Sequence, residues 1–274
     1  MKKKKLQGKV AVVTGASRGI GYAIAKMFAS EGAVVYDISR TVVAHDEMKK
    51  SYSCNVNDYD KIAEILDEIK GKEGKIDIFV NNAGFGIAGL VEHSLKENIY
   101  KQVDTNLSAV MALSSLAVKY LKESKGKLIN VSSVGGVMPL PYQASYSATK
   151  AGVEIFSRAL ANEVKDYGVK VVCILPGDTK TGFTSARVID NKFNDEQQRK
   201  DVEKSLAKIA KDEEEKGMSP DKVAMVAVKV AKKKNPPLRV TVGVGYKTLV
   251  FLQRIVSTKF LNFIIRKLYC KKDK

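Results

Sequence analysis

The chain has 274 residues, 45% hydrophobic and 28% charged, with six prolines and no tryptophan; this is the composition of a globular protein long enough for one large core and in no need of a second domain. Three cysteines, Cys54, Cys173 and Cys270, are odd in number and lack metal-ligand spacing, so a disulfide framework and a thiolate metal site are excluded and reduced core thiols are expected, as in a cytoplasm. The net charge of +17 would suit nucleic acid, but no recognition motif or basic–aromatic groove accompanies it.

The opening MKKKKLQGKVAVVTGA imitates a secretory leader, but its apolar run, Val10 to Val13, is far shorter than the ~7–15 residues such a core needs. It reads as a buried strand, Val10–Thr14, followed by a glycine-rich turn and a helix over Gly19–Ser30. Ala33–Ile38 and Tyr52–Val56 read as further strands. The connection from Arg40 to Tyr52 is too short for the full crossover helix expected between parallel strands. A helix over Tyr59–Lys70, a strand at Ile76–Val80, a long helix near Lys96–Leu121 and a strand at Leu128–Val131 come next. A helix over Ser145–Asp166, ended by Gly168, leads to a strand at Val169–Leu175. Apolar strands without alternation, each followed by a helix, mark a parallel sheet covered on both faces, and so a single-domain, doubly wound α/β fold of Rossmann type. Beyond Leu175, Arg187–Lys216 is charged but carries Val202, Leu206 and Ile209 at helical spacing. Ser219-Pro220 then forms an N-cap and first-turn proline for a helix through Lys233, and PPLRVTVGVGY holds a last strand. The segment at about 182–218 is the natural lid over a substrate.

Five motifs carry chemistry. Gly15, Gly19 and Gly21 follow a strand and open a helix, the setting in which backbone amides and a helix N-terminus cradle phosphate. NNAG stands at 81–84, Asn106 lies within DTNLS, Ser133 within INVSS and PGDTKT at 176–181. Finally, QASYSATK at 143–150 sets Tyr146 one helical turn before Lys150, where a cation could pull a phenol with a pKa near ~10 toward neutrality. Spacing alone is weak, since Tyr22/Lys26 repeats it. Ser133, thirteen residues ahead of Tyr146, has no counterpart there.

The order and spacing of these motifs resemble the short-chain dehydrogenase/reductase family through about residue 183. The resemblance implies a catalytic tetrad of Asn106, Ser133, Tyr146 and Lys150 and an enzyme that interconverts carbonyl and alcohol. Hydride transfer leaves charge on oxygen, so a donor such as Ser133 and a proton source such as Tyr146 are what that chemistry needs. By resemblance, Lys150 also bonds the nicotinamide ribose and Asn106 holds a water that links Lys150 to solvent. The nucleotide is expected against Gly15, Ser17, Arg18, Gly19, Ile20 and Gly21, with Asn55 and Val56 at the adenine. Asn81, Ala83 and Gly84 are expected on the sugar side, and Pro176, Gly177, Thr179 and Thr181 near the carboxamide. Asn55 stands where the family commonly has an acid.

Two residues compete over which dinucleotide is bound. Asp37, 22 positions after Gly15, suits a ribose 2′-hydroxyl and NAD, whereas Arg40 suits a 2′-phosphate. By resemblance, the acidic position of NAD users falls on Ser39 and the basic position of NADP users on Arg40. With Arg18 as a second cation, NADP(H) is expected, and Asp37 points elsewhere.

At the C-terminus, residues 247–274 carry eight basic side chains against Asp273, and Lys2 to Lys5 with Lys9 add five at the other end. These ends are either solvated or drawn to an anionic membrane. Phe260, Leu261, Ile264, Ile265, Leu268 and Tyr269 form one apolar stripe opposite Lys259, Asn262 and Arg266, suited to the protein's own core, to another subunit or to a membrane interface. No stretch reaches the ~18 apolar residues of a membrane span. The expected organisation is one dehydrogenase domain over 1–246 and a helical tail over 247–274. The expected protein is cytoplasmic or peripheral at the inner membrane surface, with a lipophilic substrate of steroid, retinoid or acyl type. By resemblance it is a homodimer or homotetramer paired through the helices around 96–121 and 145–166. The rival of another class is a non-catalytic dinucleotide sensor or membrane-recruited scaffold, which has no need for Tyr146 and Lys150 together.

Overall fold

The computed structural model describes residues 4–190 and 195–270. Lys2, Lys3, the lid positions 191–194 and the charges beyond Cys270 lie outside the described residues.

The main sheet has seven parallel strands: β1 (Val10–Thr14), β2 (Val34–Ser39), β3 (Lys50–Ser53), β4 (Ile78–Asn81), β6 (Lys127–Val131), β7 (Lys170–Pro176) and β9 (Arg239–Val242). Their order, β3-β2-β1-β4-β6-β7-β9, reverses direction between β1 and β4, and the carboxyl ends of those two strands bracket the crevice where such sheets take ligands. The strands read as continuous apolar runs because both faces are covered. On one face α1 (Gly19–Ser30) and α7 (Pro220–Lys232) pack Ile24, Phe28, Val223 and Ala227 against Ala11, Val13 and Val80. On the other, α2 (Tyr59–Glu73), α4 (Ala109–Ser124) and α5 (Ala144–Glu163) pack Leu66, Leu113 and Leu160 against Val12, Phe79 and Leu128.

Most predicted elements stand within a few residues of their expected bounds. No helix forms between Arg40 and Lys50, as the short connection required. The long helix expected near Lys96–Leu121 is interrupted: α3 (Lys96–Val103) passes through a π-helical turn, Asp104–Ser108, into α4. The third strand begins at Lys50 rather than Tyr52, because its register with β2 pairs Tyr36 with Lys50. Helix α5 stops at Glu163, and Gly168, at φ +80°, completes the turn into β7. Ser219 caps α7 as expected, its hydroxyl accepting from the Asp221 amide.

Two short strands were not legible in the sequence. β5 (Ile87–Ala88) pairs with β8 (Val188–Ile189), tying the root of the lid to the chain just after NNAG. Asp190, buried, accepts from the Leu95 amide and the Asn98 side chain and fixes that root. Helix α6 (Glu196–Lys216), capped by Asp195, then lays Val202, Leu206 and Ile209 on Ala88. The chain ends in α8 (Val244–Leu252) and α9 (Thr258–Tyr269).

Candidate active site

The glycine turn after β1 is shaped by close approach. Gly15 has φ +70°, and a Cβ there would stand 3.0 Å from the Ala83 Cα; at Gly21 a Cβ would fall 2.2 Å from the Gly15 carbonyl oxygen. The turn after β4 is hydrogen-bonded to the turn after β1. The Asn82 and Ala83 amides donate to Thr14 Oγ1, and Asn82 Nδ2 donates to the Thr14 and Gly15 carbonyls. Asn82 and Thr14 were given no role in the sequence reading, although Asn82 sits inside a motif already singled out. Asp37, at the end of β2, is fully buried and accepts from the Ala16 amide at 2.8 Å and from Ser39 Oγ at 2.6 Å. Burial raises its pKa. Its carboxylate thus braces the turn rather than facing a ribose, and the Ser39 hydroxyl is turned inward with it. Arg18 and Arg40 are left exposed beside the turn.

Three neighbours were missed. In the segment that replaces the crossover helix, His45 stacks on Tyr22 at 4.1 Å between centroids, with Nε2 3.3 Å from the Ser17 carbonyl oxygen. Lid residues Phe183 and Arg187 reach the site because Gly86 has no side chain: a Cβ there would meet the Phe183 ring at 3.1 Å and Arg187 Cγ at 3.5 Å. Phe183 packs on Tyr146 at 5.7 Å between centroids. No sequence signal identifies Arg187, since the β5–β8 pairing alone brings it there.

The four tetrad residues converge. Asn106, in the π-helical turn, is fully buried; its Oδ1 accepts from the Phe85 amide at 3.0 Å and its Nδ2 donates to the Phe85 carbonyl at 2.8 Å. A Cβ on Gly84 would stand 3.1 Å from Asn106 Oδ1 and 3.6 Å from Lys150 Nζ, so this glycine separates the two. At Gly135 a Cβ would lie 3.3 Å from Ser133 Oγ and 3.6 Å from Tyr146 Cε1. Ser133 Oγ accepts from the Gly135 amide at 3.0 Å, and Ser132 Oγ donates to the Lys150 carbonyl at 2.6 Å, joining β6 to α5.

Two expectations need correction. Lys150 does not pair with the phenol: Nζ donates to the Val131 carbonyl at 3.0 Å and stands 5.9 Å from the Tyr146 ring centroid. Burial raises the Tyr146 pKa, while its hydrogen bond with Ser133 and the charge of Arg187 pull it down; burial likewise lowers Lys150 to about 8. Second, Asn81 does not turn its side chain to the sugar side, because its Nδ2 donates to Ser114 Oγ and Asn130 Oδ1 inside the fold. The Asn106 side chain, bonded through both its oxygen and its nitrogen to the Phe85 backbone, is fixed inside the π-helical turn.

The other expected cofactor positions are distributed around the same crevice. Ile20 packs on the core cluster beneath the turn, and Thr181 reaches Gly19, where a Cβ would stand 3.7 Å from it. Pro176 ends β7. Gly177 makes room for the Tyr246 ring, whose hydroxyl donates to Asp178 at 2.6 Å, and Thr179 Oγ1 donates to the Gly177 carbonyl. Asn55 Oδ1 accepts from the Asn57 amide, so its carbonyl is partly committed locally, and Val56 is buried in the core.

The chain has relatives among known proteins. A family model described as short chain dehydrogenase matches residues 9–192. The chain is 35% identical over 239 residues to the 3-ketodihydrosphingosine reductase of Bacteroides thetaiotaomicron, covering 87% of this chain and 89% of that protein. It is 38% identical over 200 residues to the 3-oxoacyl-(acyl-carrier-protein) reductase FabG of Vibrio cholerae, covering 70% and 80%. Among solved structures, a short-chain dehydrogenase from Streptomyces avermitilis matches with a TM-score of 0.77 and 25% identity over 95% of this chain and 94% of that one. The 3-ketoacyl-(acyl-carrier-protein) reductase of Brucella melitensis, complexed with NADH, matches at 0.70 and 26% over 86% and 98%. A glycine turn at the strand-order reversal and a Ser–Tyr–Lys cluster beside it, on a chain with these relatives, make the protein an oxidoreductase of the short-chain dehydrogenase family.

Proposed function

We propose that the chain is an NADP(H)-dependent carbonyl reductase, reversible as an alcohol dehydrogenase, acting on a lipophilic ketone of the long-chain acyl type rather than a steroid or retinoid. The observation that carries the catalytic reading is the meeting of Ser133 and Tyr146 around Gly135, next to the crevice between β1 and β4. The residues fit a dinucleotide: the turn carries no side chain at Gly15, Gly19 or Gly21, the α1 N-terminus opens onto it, and Asp37 is held by the Ala16 amide and Ser39 while Arg18 and Arg40 stay exposed, which leaves two cations for a 2′-phosphate. When bound, NADPH supplies the hydride.

Ser133 donates to the substrate oxygen as charge develops there, and Tyr146 passes it the proton in reduction and takes it back in oxidation. Lys150 orients the ribose and faces the Asn106 turn across Gly84. Phe183 and Arg187 close the lid side and exclude water. The acyl assignment is supported by the names of the bacterial relatives, both reductases of 3-keto lipids or thioesters, and by a cavity of about 690 Å³ lined by Gly135, Pro139, Leu140, Ala151 and Ile265. We assign residues 1–246 to the catalytic domain and the remainder to an accessory tail. The protein works in the cytoplasm with peripheral membrane contact, as a homodimer or homotetramer for which the exposed Met111 of α4 and Ile155 of α5 provide apolar surface.

The test is NADPH oxidation against 3-keto lipids of graded chain length, with NADH and short polar ketones as controls. Turnover that rises with chain length and prefers NADPH is expected; better turnover of small polar ketones or hydroxy acids would refute the reading.

A further inference from the structure

The apolar stripe of α9 is not one surface but two. Leu261, Ile265 and Tyr269 form its inner edge: Ile265 is buried, and Tyr269 packs on the cluster of Val202, Leu206 and Ile209. Phe260, Phe263, Ile264 and Leu268 form an outer edge that no described residue covers, with Phe260 53% and Phe263 62% exposed. Helix α8 repeats the arrangement, with Val250 buried while Val244, Phe251, Leu252 and, just past its end, Ile255 are exposed, the last at 68%. Monomeric surfaces rarely leave so many large side chains in contiguous elements open to water.

Charge identifies what covers this surface. Residues 244–270 contain Lys247, Arg254, Lys259, Arg266 and Lys267 and no acidic residue. A second copy seated face to face would set these five cations against five more, which is unfavourable, whereas an anionic bilayer attracts each of them and accepts the aromatic rings. Within α9, Lys267 projects amid the outer apolar residues and Lys259 and Arg266 flank them, the pattern in which long basic side chains snorkel to headgroups while neighbouring rings enter the acyl boundary. No helix among the described residues is long and apolar enough to cross a membrane, so the contact is interfacial.

We infer that the outer face of α8 and α9 docks on an anionic lipid bilayer. Its inner side, through Ile265, Arg266 and Cys270, lines a cavity shared with Gly135 and Gly136, which sets that cavity between the docked face and the loop after Ser133 as a route for a long-chain ketone. That delivery route rests on the lipid-ketone reading; the docking itself does not.

The experiment is therefore run without substrate. The full chain is sedimented with phosphatidylcholine vesicles and with vesicles of equal parts phosphatidylcholine and phosphatidylglycerol. Because the chain has no tryptophan, Phe263→Trp supplies a single fluorescent reporter. Binding to the anionic vesicles only is expected, together with a blue shift of the Trp emission. Binding should weaken by about fivefold for each cation removed in Lys259→Gln and Lys267→Gln. The double variant Phe260→Ser/Phe263→Ser should lose binding yet keep wild-type turnover of a short, water-soluble ketone, which separates docking from catalysis and from misfolding. Equal binding to both vesicle types, an unshifted Trp, or anionic binding that survives loss of both phenylalanines would overturn the proposal. So would a concentration-dependent dimer that covers Phe263 in the absence of lipid.

Discussion

Lys150 Nζ donates to the Val131 carbonyl at 3.0 Å, so its ammonium is fastened to the end of β6 and not to the phenol one helical turn before it. Burial lowers its pKa to about 8, against about 10.4 in the unfolded chain. Between those values the unfolded state binds more protons, so the stability contributed here rises with pH from about 8 to about 10.4, and the cost of burying the charge is fully present below pH 8. That cost is about 3 kcal/mol, less about 1 kcal/mol for the bond to Val131. Lys150→Met should therefore abolish turnover yet stabilise the fold by up to about 2 kcal/mol at pH 7, with the gain vanishing near pH 10. Denaturant titrations at the two pH values check this, and equal gains at both would count against it.

Tyr146→Phe removes the proposed proton source but not the ring that packs on Phe183. A loss of about a hundredfold to ten-thousandfold in kcat is expected with nearly unchanged NADPH affinity. Ser133→Ala should fall in the lower part of that range. Steady-state kinetics beside a fluorescence titration of NADPH separates the two effects.

Arg187 lowers the Tyr146 pKa, while burial raises it. In Arg187→Met the phenol should titrate higher still, so alcohol oxidation, which needs the phenolate, should shift its pH profile upward. Gly86→Val should act on the same pair sterically: its side chain would displace Phe183 and Arg187, reducing kcat/KM about tenfold or more with little change in thermal stability. A profile unmoved in Arg187→Met would show that the lid cation does not reach the phenol.

Arg40→Glu places a like charge beside a 2′-phosphate while leaving the Asp37 brace intact. NADPH binding should weaken about ten- to a hundredfold more than NADH binding. Equal losses for the two cofactors would remove Arg40 from the recognition of the phosphate.

Asp37 has the opposite profile. Asp37→Ala leaves the buried Ala16 amide without an acceptor and should cost about 1–3 kcal/mol of stability, together with weaker binding of both dinucleotides alike. Asp37→Asn keeps an acceptor and should cost less. Thermal melts and parallel NADH and NADPH titrations distinguish a structural carboxylate from one that selects the cofactor.

The order of strands and helices was legible in the sequence, because a buried parallel strand must be apolar throughout and each crossover must present one apolar face; period and punctuation encode both. The glycine turn was legible for the same local reason, since Gly15 and Gly21 are places where a side chain would strike backbone. The four residues gathered around Gly84 and Gly135 were nameable from spacing and from resemblance. What spacing could not give is direction. Whether Lys150 turns to a phenol or to a strand carbonyl depends on where β6 ends against α5, and whether Asp37 faces a ribose or the Ala16 amide depends on how β2 sits beside β1. Neither Arg187 nor Phe183 carries a local signal, because their place over Tyr146 comes from a two-residue strand pairing across a hundred residues of chain. The split of the α9 stripe into a buried and a bare edge likewise follows from what α6 offers it, since periodicity records that a face is apolar and only packing decides how much of it is covered.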